Sequence, residues 1–351
     1  MATSSVLIFL FSFFKETFLR LKDMYQIMVE LGFLISFWLL TLSSVQTVEL
    51  KFNILSELNG KGLEADQKIL SSALKELGHQ VYLGNIYDEP HTSEVDINIF
   101  FQSINPLWLP YASLNWFIPN AEWYTQDLEL LDLIDLVLCR TQETQRIFEN
   151  LKLPCFFLGF TSHDCYLSHI KKNFSLFFHL AGGSEQKGTQ PIVDSWLRNT
   201  SFPLLIILKH FCAVRPRQAN LHWITHRVEE PILRDLQNSC GIHLCLSETE
   251  GFGHYIMEAL STRAVVVTVD APPMNEFIKD PRCLVPFKDC SPQLLGTNYY
   301  VDPIQLEVVI NNLKELRIEE LRRIGLENRA MYLKKTSQFI NNLKKLIDRV
   351  K

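Results

Sequence analysis

Two carboxylates eight positions apart, Glu250 and Glu258, flank a glycine turn in the stretch 242–261, IHLCLSETEGFGHYIMEALS. Residues 242–246 are a short apolar run of the buried-strand kind and 247–253 carry turn chemistry. From His254 the apolar residues Ile256, Met257 and Leu260 recur at helical spacing. The stretch is therefore expected to be a strand, a loop and the start of a helix. Such a loop lies at the carboxyl end of its strand, where open α/β sheets bind ligands, and the helix start offers unpaired N–H groups to an anion. A carboxylate on the loop, Glu250, can accept hydrogen bonds from hydroxyls of a ligand resting on the backbone of Phe252, Gly253 and His254. Glu258, further along the helix, can reach a second hydroxyl-bearing ring on the far side of a phosphate. Gly251 and Gly253 let the backbone approach without a Cβ in the way. Taken singly, either glutamate also reads as a solvated surface residue.

A second candidate lies upstream. A strand is expected over 175–180, a glycine-rich loop over 181–189 (AGGSEQKGT) and a helix over 191–199. Lys187 precedes Gly188 at the approach to that helix, where an ammonium and the helix amides would both attract a diphosphate. An exposed lysine is the other reading. His222 and His226 have i,i+4 spacing, but no glutamate accompanies them and their segment reads as extended, so no metal site is expected there.

These loops need strands behind them. From residue 48 the pattern is a repeating α/β rhythm: a strand over 48–55, a tight loop at Asn59, Gly60, Lys61 and Gly62, a helix over 64–77 closed by Gly78, and a strand over 80–83. Further strands are expected at 96–101, 114–118, 135–139 and 155–158, with helices at 125–133 and 141–151. A turn at 119–123, PNAEW, carries a carboxylate beside two aromatic residues, Trp116 and Trp123, which read more readily as core than as a sugar platform. Beyond 170 come strands at 204–209 and 222–227, a helix over 229–239, the 242–261 unit, a strand over 264–269 and a helical tail over 303–351.

Glu250-Gly251-Phe252-Gly253, then Glu258-Ala259-Leu260, the apolar strand over 264–269 and Pro272-Pro273-Met274-Asn275-Glu276 together resemble the nucleotide-sugar site of retaining glycosyltransferases of the GT-B fold, with their E-x7-E signature. The resemblance implies two Rossmann-like α/β domains facing a cleft, at 47–165 and 170–302. It implies that Glu250 holds the donor sugar, Glu258 the ribose, and the amides from Phe252 through Gly253 and His254 to Tyr255 the sugar and diphosphate. Lys187 would stabilise the leaving diphosphate from the glycine loop that contains Gly183, and Glu276 would be the last acid of the donor loop. Asn59, Gly60 and Gly62 would lie on the acceptor side. There are two departures. The glycine loop has no second cation, a place Arg227 can fill. Arg263 stands where the family has glycine, and a positive φ there would cost an arginine about 1 kcal/mol.

The expected activity is transfer of a sugar, with retention, from a nucleoside-diphosphate sugar to a carbohydrate, lipid or protein acceptor, with no metal and no cofactor beyond the donor. Two alternatives stand: a catalytically degraded nucleotide-sugar or carbohydrate-binding relative, and a GT-B nucleotide-sugar epimerase. The 351 residues, 47% hydrophobic and 21% charged, suffice for two cores. A net charge of −5 argues against a general nucleic-acid partner. Eight scattered cysteines read as reduced core thiols. Residues 1–46 form a hydrophobic N-terminal segment, and 31–48 approach the length of a spanning helix. The expected location is membrane-associated, on a side the sequence leaves open, and otherwise cytoplasmic.

Overall fold

The structure is a computed structural model that describes residues 28, 48–58, 62–90, 95–212 and 215–350. The chain divides into two units, Met1–Glu49 and Leu50–Lys351, and both α/β lobes belong to the second. The hydrophobic segment expected at 1–46 falls, apart from Met28, outside the described residues. Among the described residues no helix is long and apolar enough to cross a membrane.

The first lobe is built from β1 (Lys51–Ser56), α1 (Gly62–Glu76), β2 (Gln80–Asn85), β3 (Val95–Phe101), β4 (Ala112–Ile118), β5 (Leu136–Cys139), α2 (Gln142–Asn150) and β6 (Cys155–Phe157). Its strands form one parallel sheet in the order β2-β1-β3-β4-β5-β6. A buried row of amides, Asn53 to Asn98 at 3.0 Å and Asn98 to Asn115 at 2.9 Å, ties β1, β3 and β4 in register. The helix expected over 125–133 is instead a short 3₁₀ segment, Leu128–Leu133. Only Leu131 and the following Ile134 are buried there, and a three-residue spacing suits a 3₁₀ turn better than an α-helical face.

The second lobe comprises β7 (Asn173–Gly182), α3 (Thr189–Arg198), β8 (Leu204–Lys209), β9 (Leu221–Ile224), α4 (Glu230–Ser239), β10 (Cys240–Cys245), α5 (His254–Ser261), β11 (Val265–Val269) and β12 (Leu284–Val285). The sheet is parallel, in the order β12-β11-β10-β7-β8-β9. Strands β10 and β11 are buried at every position, as their unbroken apolar runs require of central parallel strands covered on both faces. The sequence reading did not anticipate the antiparallel hairpin of β13 (Phe287–Gln293) and β14 (Gly296–Val301). Most β13 side chains are exposed and Pro292 interrupts the run, so the segment lacks the alternation that marks a half-buried strand.

The tail, α6 (Pro303–Lys314) and α7 (Ile318–Ile347), is part of the core: Phe339 and Leu343 are fully buried. It returns to the first lobe, where the Asn342 amide donates to the carbonyls of Phe157 and Leu158 at 3.1 and 3.2 Å. The cysteines carry no disulfide, and Cys139, Cys165, Cys240, Cys245 and Cys283 are buried.

Candidate functional site

Each sheet has one place where its strand order reverses, and open α/β sheets bind ligands at the carboxyl ends of the strands there. In the second lobe the place lies between β7 and β10. The loop after β7 carries Lys187 and the loop after β10 carries Glu250. In the first lobe it lies between β1 and β3, which are followed by Gly62 to Asp66 and by Gln102. A cleft of about 290 Å³ joins the two places, lined from one side by Asp66, Asn120, Glu122, Trp123 and Arg140, and from the other by Lys187 and residues 250–255.

Lys187 and Glu250 form an ion pair within that cleft. The ammonium also lies 4.2 Å from the centre of the Tyr255 ring, a cation–π contact. Ser247 completes the arrangement. Its hydroxyl donates to Glu250 at 2.5 Å, and its amide donates to the Tyr255 hydroxyl at 3.0 Å. The glutamate, the lysine and the tyrosine are thus fixed relative to one another by a serine that the sequence places only in a turn. Gly188, at φ 65°, starts α3 in the left-handed region, and a side chain there would run into the Leu246 carbonyl.

Behind this loop His179 is completely buried. Its Nδ1 donates to the Leu244 carbonyl at 2.8 Å, and its Nε2 accepts from the Thr189 hydroxyl at 2.9 Å, which holds the start of α3 against β10. Burial pushes the imidazole down from 6.5 to about 4, countered in part by the Leu244 carbonyl. Between those values the unfolded chain binds a proton that the native chain does not, so stability rises with pH through this window. The expected result is a loss of up to about 1.4 kcal/mol per pH unit from this one group on acidification from 6.5 toward 4, read by urea unfolding.

Across the cleft a charged cluster ties the lobes together. Asp66, on the second turn of α1, accepts from Arg140 at 2.8 Å and from His254 Nε2 at 2.7 Å, and His254 Nδ1 meets the Ser162 hydroxyl at 2.7 Å. Arg140 also donates to Asn120 and lies over the rings of Phe160 and Phe252 at 5.6 and 5.8 Å. Burial alone would raise the Asp66 pKa, but the charges of Arg140 and His254 and their hydrogen bonds hold it below the usual value. Gly251 threads past this cluster. A β-carbon there would run into the Asn120 amide and come within 2.9 Å of Glu122 Oε1.

The cleft brings together Lys187, Glu250, Phe252, Gly253, His254, Tyr255 and Gly62 from the residues expected in the site. Phe252 contributes backbone, since its ring is buried against Phe160 and Phe277 at 5.4 and 5.5 Å. Asn59 and Gly60 lie outside the described residues. Gly183 and Arg227 are exposed and do not line the cleft. The cation beside the glycine loop is Lys209 at the end of β8, whose ammonium donates to the Ser184 carbonyl at 3.1 Å and meets Glu185 at 3.0 Å. Glu258 accepts from Gln237 of α4 at 3.1 Å, and burial raises its pKa. Glu276 turns to the other lobe: its two oxygens accept from the Gln142 and Glu143 amides, each at 2.8 Å, and so cap α2. Trp116 is core, whereas Trp123 is 48% exposed and lines the cleft. Arg263 has φ 62°, the left-handed backbone the glycine comparison anticipated, but its guanidinium lies 4.3 Å from the Tyr166 ring centre and outside the cleft.

The sequence reading missed Asp66, Arg140 and Lys209. Arg140 and Lys209 each end an apolar strand run, and a charge at a strand's carboxyl end is the available signal. Asp66 looks like an ordinary position in a helix.

No family model matches the sequence, and no curated protein matches it. Solved structures do. A glycosyltransferase from Rickettsia africae aligns with a TM-score of 0.64 at 13% identity, over 87% of this chain and 99% of that one. Sucrose-phosphate synthase from Thermosynechococcus elongatus aligns with a TM-score of 0.64 at 10% identity, over 86% and 99%. The fold is GT-B. HepE from Anabaena, solved in complex with UDP-glucose, aligns with a TM-score of 0.60 at 13% identity, over 85% of this chain and 99% of that one. At these identities the likeness establishes the GT-B architecture, with its two facing lobes, and leaves the chemistry to the residues in the cleft.

Proposed function

We propose that the chain is a glycosyltransferase that moves a sugar, with retention, from a nucleoside-diphosphate sugar to an acceptor bound by the first lobe. The observation that carries this reading is the Lys187–Glu250 pair, set at the strand-order reversal of the second sheet. The pair offers one cation for a diphosphate and one carboxylate for sugar hydroxyls, the two things such a donor presents. On donor binding Lys187 exchanges the carboxylate for the diphosphate, and Glu250, still held by Ser247, accepts from the sugar. Breaking the bond between the anomeric carbon and phosphate puts negative charge on the leaving diphosphate, which Lys187 and the nearby helix amides stabilise. Glu258 remains the ribose candidate, and no cofactor is required beyond the donor. Two structural neighbours support the donor class, since HepE was solved with UDP-glucose and a pneumococcal O-GlcNAc transferase with UDP and GlcNAc.

The alternative of a degraded binding protein rests mainly on Arg263, whose side chain lies away from the cleft. Calorimetric titration with UDP, GDP and ADP tests the donor site. One nucleotide should bind the wild type and bind Lys187→Ala at least tenfold more weakly. Equal affinity for both proteins would remove Lys187 from the site.

A further inference from the structure

The second lobe has another cavity, of about 290 Å³, at the end of its sheet remote from the cleft. Phe174 near the start of β7, Asn238 just before β10 and Arg263 just before β11 all line it, so it lies at the amino ends of the parallel strands. Open α/β sheets bind their ligands at the carboxyl ends, and the sheet topology therefore gives this cavity no purpose. Its wall chemistry does. Four cations line it, Lys171, Lys172, Arg263 and Arg322, and among the described residues no carboxylate does.

Among the described residues none of the four has an ion-pair partner. Asp164, two positions before Tyr166, is engaged elsewhere: its two oxygens accept from Arg329 at 2.6 and 2.7 Å. Like charges gathered around one cavity repel each other, and an anion between them relieves that cost. The charges come from three segments. The Arg263 guanidinium lies 4.3 Å from the Tyr166 ring centre, on the stretch that joins the lobes. Helix α7 crosses the Arg263 turn so closely that a β-carbon on Gly325 would run into the Arg263 carbonyl, and Arg322, one turn earlier, reaches the same cavity. The Lys172 ammonium donates to the carbonyls of Gln237 and Cys240 at 3.1 and 2.9 Å, which leaves it one further N–H. Burial lowers this ammonium from 10.5 to about 7, and a neighbouring anion would favour its charged form.

A phosphate monoester matches this wall. It carries roughly two negative charges at neutral pH on three outer oxygens, and a guanidinium binds two such oxygens at once. A carboxylate has one charge and two oxygens and would leave cations unanswered. We propose that the cavity binds a phosphate monoester, with the phosphate among Arg263, Arg322 and the two lysines and the organic part against Ile170, Phe174 and Leu326. The site is separate from the donor cleft and does not depend on it. It also gives a task to Arg263, an arginine held at φ 62° where a glycine would be unstrained.

The test measures calorimetric binding of glycerol 3-phosphate to the full chain, and co-sedimentation with phosphatidylcholine vesicles with and without phosphatidic acid. The wild type should bind the soluble ester, the vesicles that contain phosphatidic acid, or both, and the pattern tells a free phosphate ester from a lipid headgroup. The double variant Arg263→Gly, Arg322→Ala should bind at least about tenfold more weakly, since two charged hydrogen-bonding groups are gone. Arg322→Glu, a single change on an exposed helix position, should weaken binding at least as much as the loss of one such group, and a melting curve shows that each variant is folded. Lys187→Ala should bind the probe as the wild type does, because it alters only the cleft. A wild type that binds neither probe overturns the proposal. So does equal binding by the folded arginine variants, or a loss of binding in Lys187→Ala, which would move the phosphate to the cleft.

Discussion

Replacing Asp66 by alanine is expected to destabilise the protein by about 3–5 kcal/mol, the usual cost of removing one partner from a buried ion pair. Asp66 and Arg140 are 3% and 4% exposed, and among the described residues the Arg140 Nε already has no hydrogen-bond partner. Without the carboxylate, the guanidinium keeps the Asn120 amide and the faces of two phenyl rings, and its charge stays buried. His254 loses the acceptor that joins it to the first lobe as well. Urea unfolding measures the loss directly. A second replacement, Arg140→Met, made in the same chain should recover part of it, because the unpaired charge would be gone. A loss below about 1 kcal/mol would mean that water reaches the pair and that the cluster does not bind the lobes together. The same pair fixes an acid response. Its carboxyl is held below 3.8 in the folded chain, so its contribution is complete above that value and is lost as pH falls through the lower folded value.

Replacing Lys187 by alanine is expected to reduce donor turnover about 10²- to 10³-fold, the range seen when one preorganised group is taken from a developing negative charge. The effect should fall mainly on kcat, because charge builds on the diphosphate as the bond to the sugar breaks. Lys187→Arg should recover little. The ammonium is confined between the Glu250 carboxylate and the Tyr255 ring, and a planar fork is a poor replacement for a point charge in that space. Steady-state nucleotide release, with calorimetry to separate binding from turnover, gives the result. A variant with wild-type kcat and only a raised KM would assign Lys187 to uniform binding.

How much of the site is legible in the sequence depends on how far apart the cooperating residues lie. Glu250, Gly251, Gly253 and Tyr255 sit within six residues on one strand-loop-helix unit, and Lys187 sits on another of the same kind, so local pattern sufficed. The opposite wall is assembled from the carboxyl ends of β1, β4 and β5, and only the sheet order puts Asp66, Glu122 and Arg140 side by side. Glu276 shows the converse. Its place after β11 suggests a donor contact, yet it caps a helix 134 positions earlier in the chain, a pairing no local motif encodes. For Arg263 the backbone was legible and the side chain was not: the left-handed φ followed from a missing glycine, whereas its stacking on Tyr166 depends on the segment joining the lobes. The hairpin of β13 and β14 was invisible because its exposed strand carries no apolar alternation.

The central claim is that the cleft between the lobes turns over a nucleoside-diphosphate sugar. Incubating the protein with a panel of UDP-, GDP- and ADP-sugars and measuring free nucleotide, beside a Glu250→Ala control, addresses it most directly. Release from one donor, reduced ten- to hundredfold in the control by the loss of about 1.5–3 kcal/mol of charged hydrogen bonding, is the expected result. Release that is unchanged in the control, or no binding and no release from any donor, would contradict the assignment of this cleft.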